Sequence, residues 1–436
     1  MKFENKKWVL RVALAGALSL GVASVAKADA RLDSMGADVR QVDDVDGIWL
    51  YANQILQYKN TVDFRLNPTG FGSALPVGGV VNGATEWGGV IHDLGDDFGT
   101  IATYVNRAAS MNNVAGTLLT TPVTGIKQIY ATDSNVVGGF WNKYAPSSNV
   151  DVFWGHANFL GLGDAGIHLS YGDNESIANG GVNVQSQAWG LSFGLNLGSF
   201  MGFASQMHVD YAEDFLTLNR PAAPGISSPL TDNGVYTIKL GYLGQSTLND
   251  KDNLRLFADL QYDNDSLPTG WTGTQGQQAA NALEVLVGSS IKHNISDRGF
   301  VNTGLELEYD GGNNIGNLAF NDWTLVWDAN VESNLNTWLT MRAGLEKAIL
   351  NRTYTSTSST TSTFLDNSLT GTGLANANNN VAFNLGLSAN VENWTLDTQV
   401  SVSSFDTDLS TVAPGSGVMF AGNLLLVSQA DLRYKF

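Results

Sequence analysis

Residues 301–309 read Val-Asn-Thr-Gly-Leu-Glu-Leu-Glu-Tyr, and residues 322–331 read Asp-Trp-Thr-Leu-Val-Trp-Asp-Ala-Asn-Val. In the first stretch Val301, Thr303, Leu305, Leu307 and Tyr309 alternate with Asn302, Gly304, Glu306 and Glu308. In the second, Trp323, Leu325, Trp327, Ala329 and Val331 alternate with Asp322, Thr324, Val326, Asp328 and Asn330. A period of two sends successive side chains to opposite faces of an extended chain, so both stretches read as strands with one uncharged face. The pattern recurs at 189–197 and 254–262, among others, from about residue 150 to the C-terminus.

Working outward, the predicted strands fall near 58–66, 86–93, 99–107, 150–158, 163–172, 186–198, 203–213, 234–243, 253–263, 282–293, 299–310, 319–332, 336–347, 380–391, 393–405 and 422–436. That is sixteen, with fourteen to eighteen allowed because the first three are faint. Connections alternate long and short; the gap 244–252 fits least well, being long where a tight turn is due. A soluble sandwich would also show period-two alternation. Aromatic positions favour lipid as the solvent of the apolar face. Tyr171, Trp189, Tyr211, Tyr236, Tyr262, Tyr309 and Trp323 sit at the loop ends of their strands, and Tyr242, Trp394, Tyr434 and Phe436 at the turn ends. Amphipathic rings gather at the two water–lipid boundaries. The last strand, ending on Tyr434 and Phe436, resembles the terminal strand of bacterial outer-membrane barrels. That resemblance implies recognition by the barrel-assembly machinery and a place in the cell outer membrane of a Gram-negative envelope. The expected fold is therefore all-β: a transmembrane antiparallel β-barrel with short periplasmic turns and long extracellular loops.

Composition agrees with this class. Of 436 residues, 43% are hydrophobic and only 15% charged, with no Cys, against about 25% charged in an ordinary soluble domain. Disulfides and Cys-based metal sites are excluded. With 23 basic and 41 acidic residues the chain argues against a nucleic-acid partner.

Residues 1–30 read as a secretory signal peptide: Lys2, Lys6, Lys7 and Arg11 precede an uncharged stretch from Val12 to Ala26, then Ala28-Asp29-Ala30. The stretch is too short for a spanning helix. Its removal takes away five bases and two acids and moves the net charge from −18 to −21. Residues 31–57 then form an N-terminal periplasmic or plug segment, and 58–436 the barrel. Within the segment, Ser34-Met35-Gly36, Asp43-Asp44 and Ile48-Trp49-Leu50-Tyr51-Ala52-Asn53-Gln54 resemble the opening of the long-chain fatty-acid transporter family. In that family such a segment can plug the lumen. The family's Asn-Pro-Ala turn is absent here, Asn53 being followed by Gln54. Read physically, Asp43 or Asp44 caps a short helix with Ile48, Tyr51 and Ile55 on one side. An ordered extension without a transport role fits the same residues.

Neither enzyme nor cofactor chemistry is expected. The five His form no metal-ligand pattern. His168 and Ser170 share the spacing of the His-x-Ser of outer-membrane lipid A deacylases, but with Ile167, Leu169 and Tyr171 on the lipid face they read as a lumen-lining pair. Gly371-Thr372-Gly373 lacks the context of a phosphate loop, and the Ser/Thr run Thr355–Thr363 reads as an outer loop.

Strand phase places Asp210, Asp259, Glu284, Glu306, Glu308, Asp322, Asp328, Glu346, Asp397 and Asp431 inward, with Lys239, Arg255, Lys292, Arg342, Arg433 and Lys435. Arg or Lys facing lipid at mid-bilayer costs about 2–4 kcal/mol. Excess carboxylates in a wet lumen enrich cations; pairing among these charges, closing the barrel, is the alternative. The leading expectation is a porin-like channel for small hydrophilic solutes, cation-preferring. The alternatives are a transporter of hydrophobic molecules and a structural or interaction barrel. Outer-membrane lipid and small solutes are the expected partners, and homo-oligomerisation is compatible with the pattern.

Overall fold

The computed structural model describes residues 30–66, 87–105, 148–178, 182–219, 230–231, 235–267, 278–313, 319–356, 362–366, 381–402 and 429–436. The signal peptide lies outside them but for Ala30, as do Gly371–Gly373, most of the Ser/Thr run, and the starts or ends of several predicted strands. The strands are β1 Thr61–Leu66, β2 Trp87–Asp93, β3 Thr100–Val105, β4 Ser148–His156, β5 Ala165–Ala178 and β6 Val182–Phe200. Next come β7 Phe203–Asn219, β8 Leu230–Thr231, β9 Val235–Thr247, β10 Asp252–Leu267, β11 Gln278–Ser296 and β12 Gly299–Asn313. The chain ends with β13 Ala319–Asn334, β14 Leu339–Ser356, β15 Ser362–Asp366, β16 Val381–Val391, β17 Trp394–Val402 and β18 Gln429–Lys435.

Every pairing is antiparallel, and β1 pairs with both β2 and β18, so the sheet closes on itself. β8 and β15 are short additions beside the loop ends of β7 and β14; the other strands form a closed barrel of 16. Closure leaves no unpaired edge, which is what an apolar solvent demands of backbone N–H and C=O groups. Side chains such as Leu191, Leu240, Leu305 and Val287 stand exposed on the outer surface. A continuous apolar belt of this kind marks a lipid contact rather than a water surface. Rings border it across neighbouring strands: Trp189–Tyr211 at 5.2 Å, Tyr309–Trp323 at 4.6 Å and, at the turn end, Trp394–Tyr434 at 4.6 Å. The protein is an outer-membrane β-barrel.

The gap read as 244–252 is shorter than expected. β9 continues through Thr247, leaving the four-residue turn 248–251. Strands also run further at the loop ends than alternation indicates, β14 reaching Ser356 and β11 starting at Gln278. Beyond the membrane both faces of a hairpin meet water, so pairing persists there without an apolar face.

The N-terminal segment lies inside the barrel. It comprises α1, Ala30–Met35, and two 3-10 turns, Val45–Trp49 and Ala52–Gln57. The Asp44 carboxylate caps the first turn by accepting from the Asp46 backbone N–H at 3.3 Å. Ile48, Tyr51 and Ile55 are all fully buried, Ile48 and Ile55 on two separate tight turns and Tyr51 capping the second, rather than on one helix. Leu32, Met35, Val39, Val42, Leu50 and Tyr51 pack on Leu243, Phe257, Leu286 and Phe300 of the wall. Val45, Ile48, Trp49, Ala52 and Ile55 pack on Trp87, Ile91, Ala102, Tyr104 and Phe153.

Candidate functional site in the barrel lumen

Where the segment meets the wall, charge matches charge. Arg40 Nε lies 2.7 Å from Asp259 Oδ2, while its Nη1 pairs with Asp38 at 3.0 Å. Asp259 also faces His208 Nε2 at 3.3 Å and Lys239 Nζ at 3.6 Å. Burial by itself would lower the Arg40 pKa; Asp259, then Asp38 and Glu306, more than offset this and raise it above the usual arginine value. The Tyr51 phenol is pushed well up by burial and then by Asp259, so it stays neutral. Arg255 reaches Asp43 at 2.6 Å and donates to the Arg40 carbonyl at 3.4 Å. The Gln41 amide donates to Glu306 at 2.7 Å and to Asp328 at 2.8 Å.

A second set holds the start of the segment. Arg31 bridges Asp44 at 2.8 Å and Glu332 at 2.9 Å. Arg342 joins Glu332 to Asp397, each at 2.6 Å. The Ala30 backbone N–H donates to Asp431 at 2.6 Å, and Arg433 meets Asp44 at 3.2 Å. Removing one partner of a buried pair costs about 3–5 kcal/mol, because the other charge is left uncompensated.

Glycines on the inner face let the backbones meet. A Cβ at Gly166 would collide with the Ala52 carbonyl, and one at Gly344 with the Met35 carbonyl oxygen. Gly194 makes room for Asn53, its side-chain oxygen and backbone N, and Gly386 for the Ser34 side chain. Strand phase finds inward charges but not these seats. The available signal is a glycine in place of a polar side chain on the inner face, a mark of close backbone approach.

The predicted site residues are therefore distributed. Asp259, Glu306, Asp328 and Arg255 engage the segment directly, and Arg342 acts through Glu332. His168 is buried, bonds Asp151 at 2.9 Å, stacks on Phe153 at 4.0 Å and is covered edge-on by Trp49 at 5.4 Å. Its partner is Asp151 of the neighbouring strand β4, which presents it on the same inner face as β5. Glu284 and Glu308 lie nearer the loop end, with Asp310; the Asp322 side chain lies outside the described residues. Arg40, Gln41, Asp43 and Lys239 complete the lumen network; sequence reading had not singled out Arg40 or Gln41, and had taken Asp43 only as a helix cap. At the rim the Phe436 N–H donates to the Asn60 carbonyl at 3.0 Å, and its ring stacks on His92 at 6.0 Å.

No protein-family model and no curated protein matches the chain in sequence. Among solved structures it is similar to the siderophore receptor PirA of Acinetobacter baumannii, at TM-score 0.36 and 8% identity over 79% of this chain and 62% of that one. It is similar to CdiB of Escherichia coli, at TM-score 0.39 and 10% identity over 86% of this chain and 62% of that one. The toluene transporter TodX of Pseudomonas putida follows, at TM-score 0.31 and 10% identity over 66% of this chain and 80% of that one. The chain spans less than two thirds of PirA and of CdiB. Scores this low leave function to the barrel's own interior. By its closure, lipid belt and aromatic borders, the chain is an outer-membrane β-barrel.

Proposed function

We propose that the barrel is an outer-membrane channel for small hydrophilic solutes, cation-preferring, whose opening is governed by the segment Ala30–Tyr58. The observation that carries this reading is the chemistry of the inner face. Its charged positions are mostly acidic, and ion pairs, side-chain hydrogen bonds and two apolar clusters join the segment to it, with no strand pairing between them among the described residues. Such contacts release without unravelling the sheet. The segment itself carries Arg31 and Arg40 against five Asp, so it adds to the acidic excess. The proposed role is passage, not catalysis: the His168 imidazole is shut beneath Trp49.

A second reading, transport of hydrophobic molecules as in the long-chain fatty-acid transporters, rests on the resemblance of residues 34–54 and on one surface feature. A groove of 680 Å³ on the outer face, lined by Val62, Phe64, Gly88, Val90, Val105 and Leu432, reaches Trp87, which also belongs to the inner apolar cluster.

Planar-bilayer recording of the purified protein separates the two. Rare unitary steps in the wild type, made frequent by Arg40→Ala, support the channel. Electrical silence of both, with co-purifying lipid, supports the second reading.

A further inference from the structure

On the inner face, β10, β11 and β12 bring Gln261, Glu284 and Asp310 into one cross-strand row. Glu308, two residues before Asp310, projects from the same face. One carboxylate oxygen from each of Glu284, Glu308 and Asp310 lies within 4.8 Å of the others. A cluster of acids alone proves little, but two observations here point to a ligand. Glu284 is 1% exposed, and neither of its carboxylate oxygens has a hydrogen-bond donor. Directly across from it, Gln261 is 6% exposed, and its amide oxygen also lacks a donor, its nitrogen being given to Asp263 at 2.9 Å. Lys239, across from Gln261 on β9 and so in the same row, carries its Nζ to 3.6 Å from Asp259, which lies nearer the turns. Among the described residues no base stands within ion-pair distance of Glu284.

Burying a carboxylate without a donor or counter-charge is costly. We infer that this row is a cation site and that it takes Ca²⁺. The donors are all hard oxygens, which disfavours zinc and other metals that seek nitrogen or sulfur. Ca²⁺ accepts six to eight such oxygens at about 2.3–2.6 Å, so its shell is about 5 Å across, and the three carboxylates fall within that span. Mg²⁺ gives up its water reluctantly and suits a dry, all-protein cage less well. Bound there, the ion ties β10, β11 and β12 together on the loop side of the N-terminal segment. The inference does not rest on the channel reading, and its test reads binding, not conductance.

The full chain, purified in detergent and stripped with EDTA, is titrated with CaCl₂ and separately with MgCl₂ by calorimetry. Wild type should bind one Ca²⁺ per chain in preference to Mg²⁺, and Ca²⁺ should raise its unfolding midpoint. Glu284→Gln and Asp310→Asn keep the side-chain shape and remove one charge each. Each should weaken Ca²⁺ at least about tenfold, since loss of even an outer partner of a ligand costs 10–100-fold. Heat-modifiability on gels verifies that each variant has folded; should either fail to assemble, Gln261→Met gives the comparison without altering charge. Two results overturn the site: no heat of Ca²⁺ binding to the wild type, which would leave the cluster neutralised by shared protons, or binding unchanged in the folded variants.

Discussion

Arg40 shows how a single side chain ties the N-terminal segment to the barrel wall. Its guanidinium spans Asp38 of its own segment and Asp259 of β10, both within 3.0 Å. Replacing it with Ala leaves Asp259 to Lys239 and His208, and should loosen the segment by about 3–5 kcal/mol. Trp49 and Tyr51, 2% and 0% exposed, supply the readout, because chymotrypsin cuts after aromatic residues. Wild type should resist cleavage there, whereas Arg40→Ala should be cut while its barrel stays heat-modifiable. Equal resistance in both would remove Arg40 from the account. At this scale the sequence was half legible. Alternation told which way Asp259, Glu306, Asp328 and Arg255 point, because a charge in lipid is expensive. It could not tell what they meet, since Arg40 and Asp259 are joined only when the segment folds back into the lumen.

Among elements, the strands were legible wherever the two faces meet different solvents, and faded where both meet water. That is why β11 and β14 outrun their expected loop ends and why the 248–251 turn looked longer than it is. The seat of the segment was not legible, because it is written in absent side chains. Gly166→Val and Gly344→Val would drive side-chain carbons into the Ala52 and Met35 backbones. Forcing extra volume against packed side chains costs about 1–3 kcal/mol, and backbone yields less readily. Both variants should therefore keep the barrel and displace the segment, seen as chymotrypsin cleavage after Trp49. Retained protection would mean that the wall is more compliant than its geometry implies. The terminal strand makes a separate prediction. Phe436 bonds Asn60 through its backbone and lays its ring on His92 at the rim. Phe436→Asp puts a charge at the lipid–water boundary and should lower the amount of assembled, heat-modifiable protein in the outer membrane. Normal levels would contradict that role.

Over the whole molecule, the lumen carries more acid than base in its wall and again in the segment that occupies it. While the segment is seated, Arg40 pairs with Asp259, and Gln41 donates to Glu306 and Asp328. Once it moves, Asp259, Glu306 and Asp328 lose Arg40 and Gln41 together. The Debye length at physiological salt is about 8 Å, comparable to the radius of a narrow pore, so the bared carboxylates are only partly screened. An opened pore should thus admit cations ahead of anions, most strongly at low ionic strength. The most direct test is the reversal potential of single Arg40→Ala channels across a KCl gradient, recorded beside the wild type. The account predicts frequent unitary openings in the variant with a reversal potential shifted toward that of K⁺, and rare openings of the same selectivity in the wild type. An anion-selective reversal potential, or a variant as silent as the wild type, would contradict it.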